Sequence, residues 1–215
     1  MKNVIFIAPP AAGKGTQSER LMEIGYEHIS TGDMLREEIS KNTVLGKEIN
    51  EIITNGKLVS DELVFELITN KITNLSKPFI LDGFPRTINQ AKLLDELFQK
   101  LNITNYEVVY LDVSLDVALK RALGRLTCSC GSSYNIYNEN LKPKLENICD
   151  KCGKVLVKRN DDNEESFKVR FETFLNNIEP IKDFYREKGR LHIIDTMLST
   201  EEVTDRIKEI LIWLV

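Results

Sequence analysis

The chain has 215 residues, of which 42% are hydrophobic and 29% charged, and its formal net charge is −4. This length buries one substantial hydrophobic core but is too short for several independent domains. The small negative charge excludes a generally basic surface, so we expect neither a nucleic-acid nor a membrane partner, and any phosphate site must be a local cluster of Arg and Lys.

Short apolar runs alternate with longer segments of helical spacing. The runs, at residues 4–7, 79–81, 108–111 and 191–194, are typical of strands that are covered on both faces of a parallel sheet. The helical segments are residues 60–72, 87–101, 115–123 and 203–214, and Ser60 is a candidate N-cap for the first. The alternation predicts a doubly wound α/β sheet.

Two segments interrupt this pattern and are interpreted as insertions. Residues 126–162 have little helical periodicity and contain all four cysteines, while in residues 30–59 helical pieces are broken at Gly46 and at Asn55-Gly56. The remaining segments, 1–29, 60–125 and 163–215, then form the core domain. Because the first apolar run is short and Pro9-Pro10 follow it, we expect no export signal and a cytoplasmic protein.

The first strand leads into a candidate phosphate loop, Ala8-Pro9-Pro10-Ala11-Ala12-Gly13-Lys14-Gly15-Thr16-Gln17. A strand, a loop of small residues, a Lys and a helix place backbone N–H groups and one positive charge around an anion. The usual pattern fails at two places, because Ala8 stands at the first glycine and Gly15 separates Lys14 from Thr16. By itself the loop is also compatible with an ordinary strand-to-helix corner.

Further motifs follow in order. They are Ser30-Thr31-Gly32-Asp33-Met34-Leu35-Arg36, Asn55-Gly56-Lys57-Leu58-Val59, Leu81-Asp82-Gly83-Phe84-Pro85-Arg86-Thr87, Gln90, Gly124-Arg125, Asp161-Asp162 with Glu164-Glu165, and Arg170. With the phosphate loop, this series resembles the adenylate kinase family over essentially the whole chain. The resemblance implies a P-loop nucleoside monophosphate kinase fold: a five-stranded parallel sheet with helices on both faces, an AMP-binding insertion (30–59) and a lid insertion (126–162).

The resemblance implies phosphoryl transfer from magnesium-bound ATP to AMP, which gives two ADP. It assigns catalytic roles to Lys14, Arg86, Arg125, Arg159, Arg170 and Asp82. Guanidinium groups suit this reaction because their planar fork meets phosphate oxygens at two points. Asp82 would organise the magnesium, and Asp161 and Asp162 would be hinge acids at the base of the lid rather than catalytic bases.

The same resemblance distributes the binding residues between the two nucleotides. ATP would contact Ala11, Ala12, Gly13, Lys14, Gly15, Thr16, Arg121, Arg125, Ser133, Tyr134 and Leu198. AMP would contact Thr31, Arg36, Lys57, Leu58, Val59, Gly83, Phe84, Pro85, Arg86, Gln90, Arg159 and Arg170. Gln90 would read the adenine of AMP, and the Phe84–Pro85 peptide bond is expected to be cis. Both histidines, His28 and His192, are interpreted as structural.

The cysteines lie in two pairs, Cys128-Ser129-Cys130 and Cys149-Asp150-Lys151-Cys152. The second pair has the spacing of a zinc knuckle, whereas the first has one intervening residue where zinc-bearing lids of the family usually have two. We expect one structural zinc ion held by the four thiolates; four reduced cysteines in a metal-free lid are the alternative.

Other functions remain open at this point. A kinase for UMP, CMP or GMP is the nearest alternative, and Gln90 and Thr31 favour AMP over it. A zinc-ribbon protein that binds nucleic acid through a decayed nucleotide fold is a more distant one. Ala8 and Ala11 give that reading some support, but the full arginine set opposes it. We expect a monomer, with Ala8 at an ordinary backbone conformation and Ala11 in a strained one.

Overall fold

The computed structural model describes residues 1–55 and 57–212. Gly56 of the Asn55-Gly56-Lys57-Leu58-Val59 motif and Leu214 at the end of the last expected helix therefore lie outside the described residues. Within the described ranges, no helix is both long and apolar enough to cross a membrane.

A five-stranded parallel sheet forms the centre of the molecule. The strands are β1 (Asn3–Ile7), β2 (Glu27–Ser30), β3 (Phe79–Asp82), β4 (Tyr106–Asp112) and β7 (Leu191–Asp195), in the spatial order β2-β3-β1-β4-β7. All neighbouring pairs are parallel, with Ile5 opposite both Leu81 and Val108. The predicted parallel sheet is confirmed, and its carboxyl edge collects the ends of β1, β2 and β3.

Eight α-helices are described around the sheet. They are α1 (Lys14–Met22), α2 (Thr31–Ser40), α3 (Val44–Thr54), α4 (Asp61–Ile72), α5 (Ile88–Lys100), α6 (Leu115–Leu123), α7 (Glu164–Glu187) and α8 (Thr200–Leu211). Ser60 caps α4 as predicted, since its hydroxyl accepts from the Leu63 N–H. The last helix begins earlier than its apolar spacing indicated, because Ser199 and Glu202 form a capping box.

Two hydrophobic cores cover the two faces of the sheet. Ile5 faces a core built with α4 and α5, while its neighbours Val4 and Phe6 face a second core built with α1, α6 and α8. This alternation follows from the two-residue period of a strand. Helix α7 joins both cores, because Phe167 near its start lies in the second and Ile181 near its end lies in the first.

Residues 30–59 form the helices α2 and α3. The expected break of the helix at Gly46 is wrong, since Gly46 lies inside the first turn of α3. Its backbone N–H donates a hydrogen bond to the Thr43 hydroxyl, which caps the helix. A Cβ at Gly46 would stand 2.7 Å from the Glu38 carbonyl oxygen. The glycine therefore allows α2 and α3 to approach closely, and the chain turns between them at Asn42, where φ is 55°.

Residues 126–162 form a small, mostly irregular unit that contains one short pair of antiparallel strands. Strands β5 (Arg125–Thr127) and β6 (Ser133–Asn135) pair with each other, and a single 3-10 turn follows at Glu139–Leu141. The buried apolar side chains of this unit are only Leu126, Cys128, Cys149 and Leu156 among the described residues. This core is separate from those of the sheet.

Candidate active site

The loop between β1 and α1 ends in an open helix terminus. Gly13, the residue that precedes α1, has φ 104°, and no side chain caps the helix. The first N–H groups of α1 are consequently available to an external anion, and the helix dipole favours one there. Ala11 has φ 59°, whereas Ala8 is not among the described residues of positive φ. Both backbone expectations for the alanines are confirmed.

Lys14 and Asp82 meet at the carboxyl edge of the sheet. The Lys14 ammonium lies 3.8 Å from one Asp82 oxygen and donates to the Ala8 carbonyl at 3.4 Å. The other Asp82 oxygen lies 3.5 Å from Nε2 of His28. No local pattern in the sequence indicates this last contact, because His28 is brought near Asp82 by the pairing of β2 with β3.

Five arginines converge on this edge: Arg36, Arg86, Arg125, Arg159 and Arg170. Burial is the main reason why the pKa of Lys14 is lowered; Asp82 opposes that shift, and the charges of Arg86, Arg170 and Arg125 add to it. Burial by itself would raise the pKa of Asp82, but Lys14 and His28 hold it below its ordinary value. Burial followed by repulsion from Arg125 and Arg36 lowers the pKa of Arg159 to about 10. A site with this many cations is complementary to polyphosphate.

Two of these arginines form ion pairs with carboxylates that directly precede α7. Arg125 donates through Nε to Asp162 at 2.7 Å and through a second nitrogen to the other oxygen of the same carboxylate. Arg170 donates to Asp161 at 2.6 Å. Asp161 and Asp162 are therefore counterions of the arginines, in agreement with their expected position at the base of residues 126–162.

An open cleft lies beside these charges. Its lining combines the charged side chains of Lys14, Arg86 and Arg170 with apolar side chains that include Phe174 and Ile178. The Arg86 side chain is held in place by its own turn, because its Nε donates to the Gly83 carbonyl at 2.8 Å. The Phe84–Pro85 bond is cis, as predicted. Phe84 is fully buried in the core and is not among the residues that line the two pockets described here.

A second, smaller pocket adjoins Arg86. Its lining residues are Thr31, Leu35, Leu58, Val59, Val64, Gly83, Arg86 and Gln90. Thr31 is buried and donates to the Asp82 carbonyl at 3.2 Å. Gly83, with φ 89°, cannot be replaced, since a Cβ there would collide with the Thr31 hydroxyl. Arg36 lies beside Asp33, at 2.5 Å, on the helix that begins at Thr31. Lys57 is exposed near the same pocket.

The four cysteine sulfurs form one cluster. Cys128 and Cys152 sulfurs are 3.4 Å apart, those of Cys130 and Cys149 are 3.6 Å apart, and all four lie within 4.8 Å of one another. A tetrahedral ion with zinc–sulfur bonds of about 2.3 Å needs sulfurs about 3.8 Å apart. The cluster fits such an ion, so the shortened Cys128-Ser129-Cys130 turn does not prevent the four thiols from converging.

Comparison with known proteins gives one consistent result. A family model described as adenylate kinase matches residues 6–190. The adenylate kinases of Thermosipho melanesiensis and Archaeoglobus fulgidus are 41% and 43% identical to this chain over 213 residues, which is 97% of each chain. That of Allorhizobium ampelinum is 39% identical over 213 residues, 97% of this chain and 98% of its own. The chain belongs to the adenylate kinase family.

Four residues with expected ATP contacts lie on α6, on the loop after β7 and on β6 of this adenylate kinase family member. The Arg121 guanidinium donates to the Thr196 carbonyl at 2.8 Å, and Leu198 follows on the same loop. Ser133 and Tyr134 lie on β6, and the Tyr134 hydroxyl is 3.5 Å from the Cys149 sulfur and accepts from the Asp150 N–H. Tyr134 thus supports the cysteine cluster.

Gln90 is the residue whose surroundings the sequence revealed least. It is 2% exposed, and its amide contacts both the Arg86 backbone and the Asp61 carboxylate. Asp61 lies in the predicted helix 60–72 and has no predicted role at the site. No local pattern in this adenylate kinase family member indicates the contact, since residues 61 and 90 belong to separate helices.

Proposed function

We propose that this chain catalyses reversible phosphoryl transfer from magnesium-bound ATP to AMP, giving two ADP. The observation that carries the proposal is the convergence of Lys14, Arg86 and Arg170 around one cleft at the carboxyl edge of the sheet, with the charge of Arg125 also acting on Lys14. Phosphoryl transfer depends on positioning and on neutralising the charge of the transferred group. Adenylate kinase relatives that cover the whole chain support the same reaction.

We assign ATP to the open N-terminus of α1. The N–H groups of residues 11–16 would surround the phosphates, and Lys14 would neutralise charge on the outer ones. Arg121 and Arg125 would approach from α6 and the base of the lid, while Ser133, Tyr134 and Leu198 would flank the base. The absence of a side-chain cap on α1 supports this assignment, because those N–H groups have no competing side-chain acceptor at that position.

We assign AMP to the smaller pocket and to the arginines beside it. Arg36, Arg86, Arg159 and Arg170 would bind its phosphate. The base would lie among Thr31, Leu58, Val59 and Gln90, with Lys57, Gly83, Phe84 and Pro85 at the edge. An AMP phosphate oxygen is already an anionic nucleophile, so the reaction needs no general base. Asp161 and Asp162 would release Arg170 and Arg125 toward the phosphates when the nucleotides bind.

Asp82 is suited to organise the magnesium that enters with ATP. It is a carboxylate beside Lys14, and its lowered pKa keeps it ionised at neutral pH. Carboxylates commonly hold magnesium through its water ligands. When bound, magnesium supplies positive charge to the phosphate oxygens.

We propose the following organisation. Residues 1–29, 60–125 and 163–215 form the core, 30–59 the AMP-binding insertion and 126–162 the lid, which contacts α1 where Lys151 lies 3.8 Å from Glu19. Closure of the lid would exclude water, which otherwise competes as a phosphoryl acceptor. The four thiolates would hold one structural zinc ion, which the sulfur distances support. We propose a cytoplasmic monomer, where thiols remain reduced.

A coupled assay of ADP formation tests the activity. Purified chain is given magnesium-ATP with AMP, UMP, CMP or GMP in turn, and we expect AMP to be the preferred acceptor by at least about 100-fold. Omission of magnesium should remove turnover. Preference for another monophosphate would replace AMP as the substrate, and no turnover with any acceptor would contradict the proposed function.

A further inference from the structure

The Asp61 carboxylate, at the first position of α4, receives three hydrogen bonds from the start of α5. The Thr87 hydroxyl and the Asn89 amide donate to its Oδ2 at 3.2 and 3.1 Å, and the Gln90 amide donates to its Oδ1 at 2.6 Å. The other end of the Gln90 amide accepts from the backbone N–H of Arg86, also at 2.6 Å. Gln90 is therefore clamped between two fixed groups.

These two partners allow only one orientation of the amide. An ionised carboxylate can only accept, so the group that faces Asp61 must be the NH₂ of Gln90. A backbone N–H can only donate, so the group that faces Arg86 must be the carbonyl oxygen. A flipped amide would place donor against donor and acceptor against acceptor. After these bonds the amide keeps one N–H and one lone pair for a ligand.

Gln90 lines the smaller pocket together with Val64, which lies one helical turn after Asp61 on α4. Adenine offers an amino donor at position 6 and an acceptor at N1. Hypoxanthine offers the reverse, an oxo acceptor at position 6 and an N1–H donor. An amide that presents a donor and an acceptor in fixed order pairs with one of these bases and opposes the other.

We propose that Asp61 is a positioning residue that fixes the orientation of the Gln90 amide and thereby makes the monophosphate site selective for adenine over 6-oxopurines. This inference rests on the proposed function, in which AMP occupies that site. Asp61 acts through Gln90 and does not touch the nucleotide. The electrostatics of its clamp, rather than the shape of the pocket, sets the preference.

The test compares AMP with IMP, which differ only at position 6 and N1. In Asp61→Asn, the new amide can donate to Gln90 as well as accept from it, so one of the two constraints on the Gln90 orientation is removed in nearly the same volume. The Arg86 N–H is then the remaining group that opposes the flipped amide. We expect the ratio of kcat/KM for AMP to that for IMP to fall by roughly tenfold or more. The KM for ATP should not change. Asn89→Ala is the matched control, since it removes a different bond to the same carboxylate, and it should leave the ratio unchanged.

A double-mutant cycle separates positioning from general destabilisation. In a Gln90→Ala background, Asp61→Asn should have no further effect on the AMP-to-IMP ratio. An unchanged ratio in Asp61→Asn, or an equal fall with and without Gln90, would overturn the proposal. Equilibrium binding of AMP and IMP at low temperature gives the same ratio if the variant is too unstable for the assay. Wild-type protein that fails to use AMP would instead contradict the proposed function itself.

Discussion

The parallel sheet and the lid are stabilised in different ways. The sheet is covered on both faces by extended hydrophobic cores, whereas the described lid buries two aliphatic side chains, Leu126 and Leu156, together with Cys128 and Cys149. A unit with so small an apolar core needs another source of stability. The four sulfurs supply the ligands for one. Apolar burial therefore stabilises the sheet that positions the active site, and metal binding is suited to stabilise the proposed lid.

If the hydrophobic cores maintain the sheet, a substitution at the active site should remove activity without unfolding the protein. Lys14→Met removes the cation at the open end of α1, and we expect turnover to fall by roughly 10³-fold. The melting temperature should change by no more than a few degrees, because Lys14 lies at the edge of the cleft and outside both cores. Steady-state assays and thermal unfolding measure the two effects. Lys100→Met, at the exposed end of α5, is the control, and near-normal activity in Lys14→Met would remove the assignment.

Metal removal should affect the lid and spare the sheet. We expect one zinc ion per chain, and chelation should cost about 3 kcal/mol, or roughly 6–12 °C in Tm for a chain of this size. Turnover measured well below the melting temperature should change little on chelation, because in the proposed arrangement the thiols do not contact substrate.

Hydrogen exchange locates the effect of metal removal. Amides in residues 126–162 should lose protection on chelation while those of β1 and β4 keep theirs. Metal analysis that finds no zinc in protein purified without chelators would contradict this prediction.

The junction between the two regions should be sensitive to acid. Burial raises the pKa of Asp161, but Arg170, Arg125 and Arg159 outweigh it and the pKa is lowered overall. A carboxylate with a lowered folded pKa stabilises the protein above its unfolded pKa of about 4 and loses this effect as the pH falls through the folded value.

Asp161→Asn should therefore cost about 1–3 kcal/mol at pH 7 and progressively less below pH 4. Melting curves of variant and wild type between pH 3 and 7 measure this difference. Asp183→Asn, which removes an exposed ion pair with Arg186 on the same helix, is the control. Equal destabilisation by Asp161→Asn at all pH values would show that charge is not the cause.

The smallest effect concerns the phosphate loop. Ala11 at φ 59° carries roughly 1 kcal/mol of strain that glycine does not. Ala11→Gly should raise stability by a few tenths of a kcal/mol after the entropy of the unfolded glycine is subtracted. ATP affinity should increase severalfold if ATP binding places more strain on Ala11 than the free loop carries.

Ala8→Gly is the matched control for the loop, because it introduces the same entropy without relieving a positive φ. It should be slightly destabilising. If Ala11→Gly behaves like Ala8→Gly in both melting temperature and ATP affinity, the loop is not compromised by its alanine.

The sequence pattern predicted most of the fold, and its omissions have physical causes. Strand β2 was not marked because it lies at the edge of the sheet, where only Ile29 of its four residues is fully buried. Helix α7 was not marked either. Its apolar residues pack into two different cores, so they do not form one continuous apolar face with helical spacing. The helix also continues through Pro180, a residue type that usually ends a helix.

By itself the sequence determined the family, the alternating layers and the residues that carry charge to phosphate, because these depend on local order: a strand, a loop, a Lys and a series of spaced motifs. Only the tertiary structure decided which groups surround those residues. His28 reaches Asp82 through strand pairing, and Asp61 reaches Gln90 through the packing of α4 on α5. No periodic pattern in the sequence predicts a hydrogen bond between residues 29 positions apart, because the two residues meet only when their separate helices pack into one core.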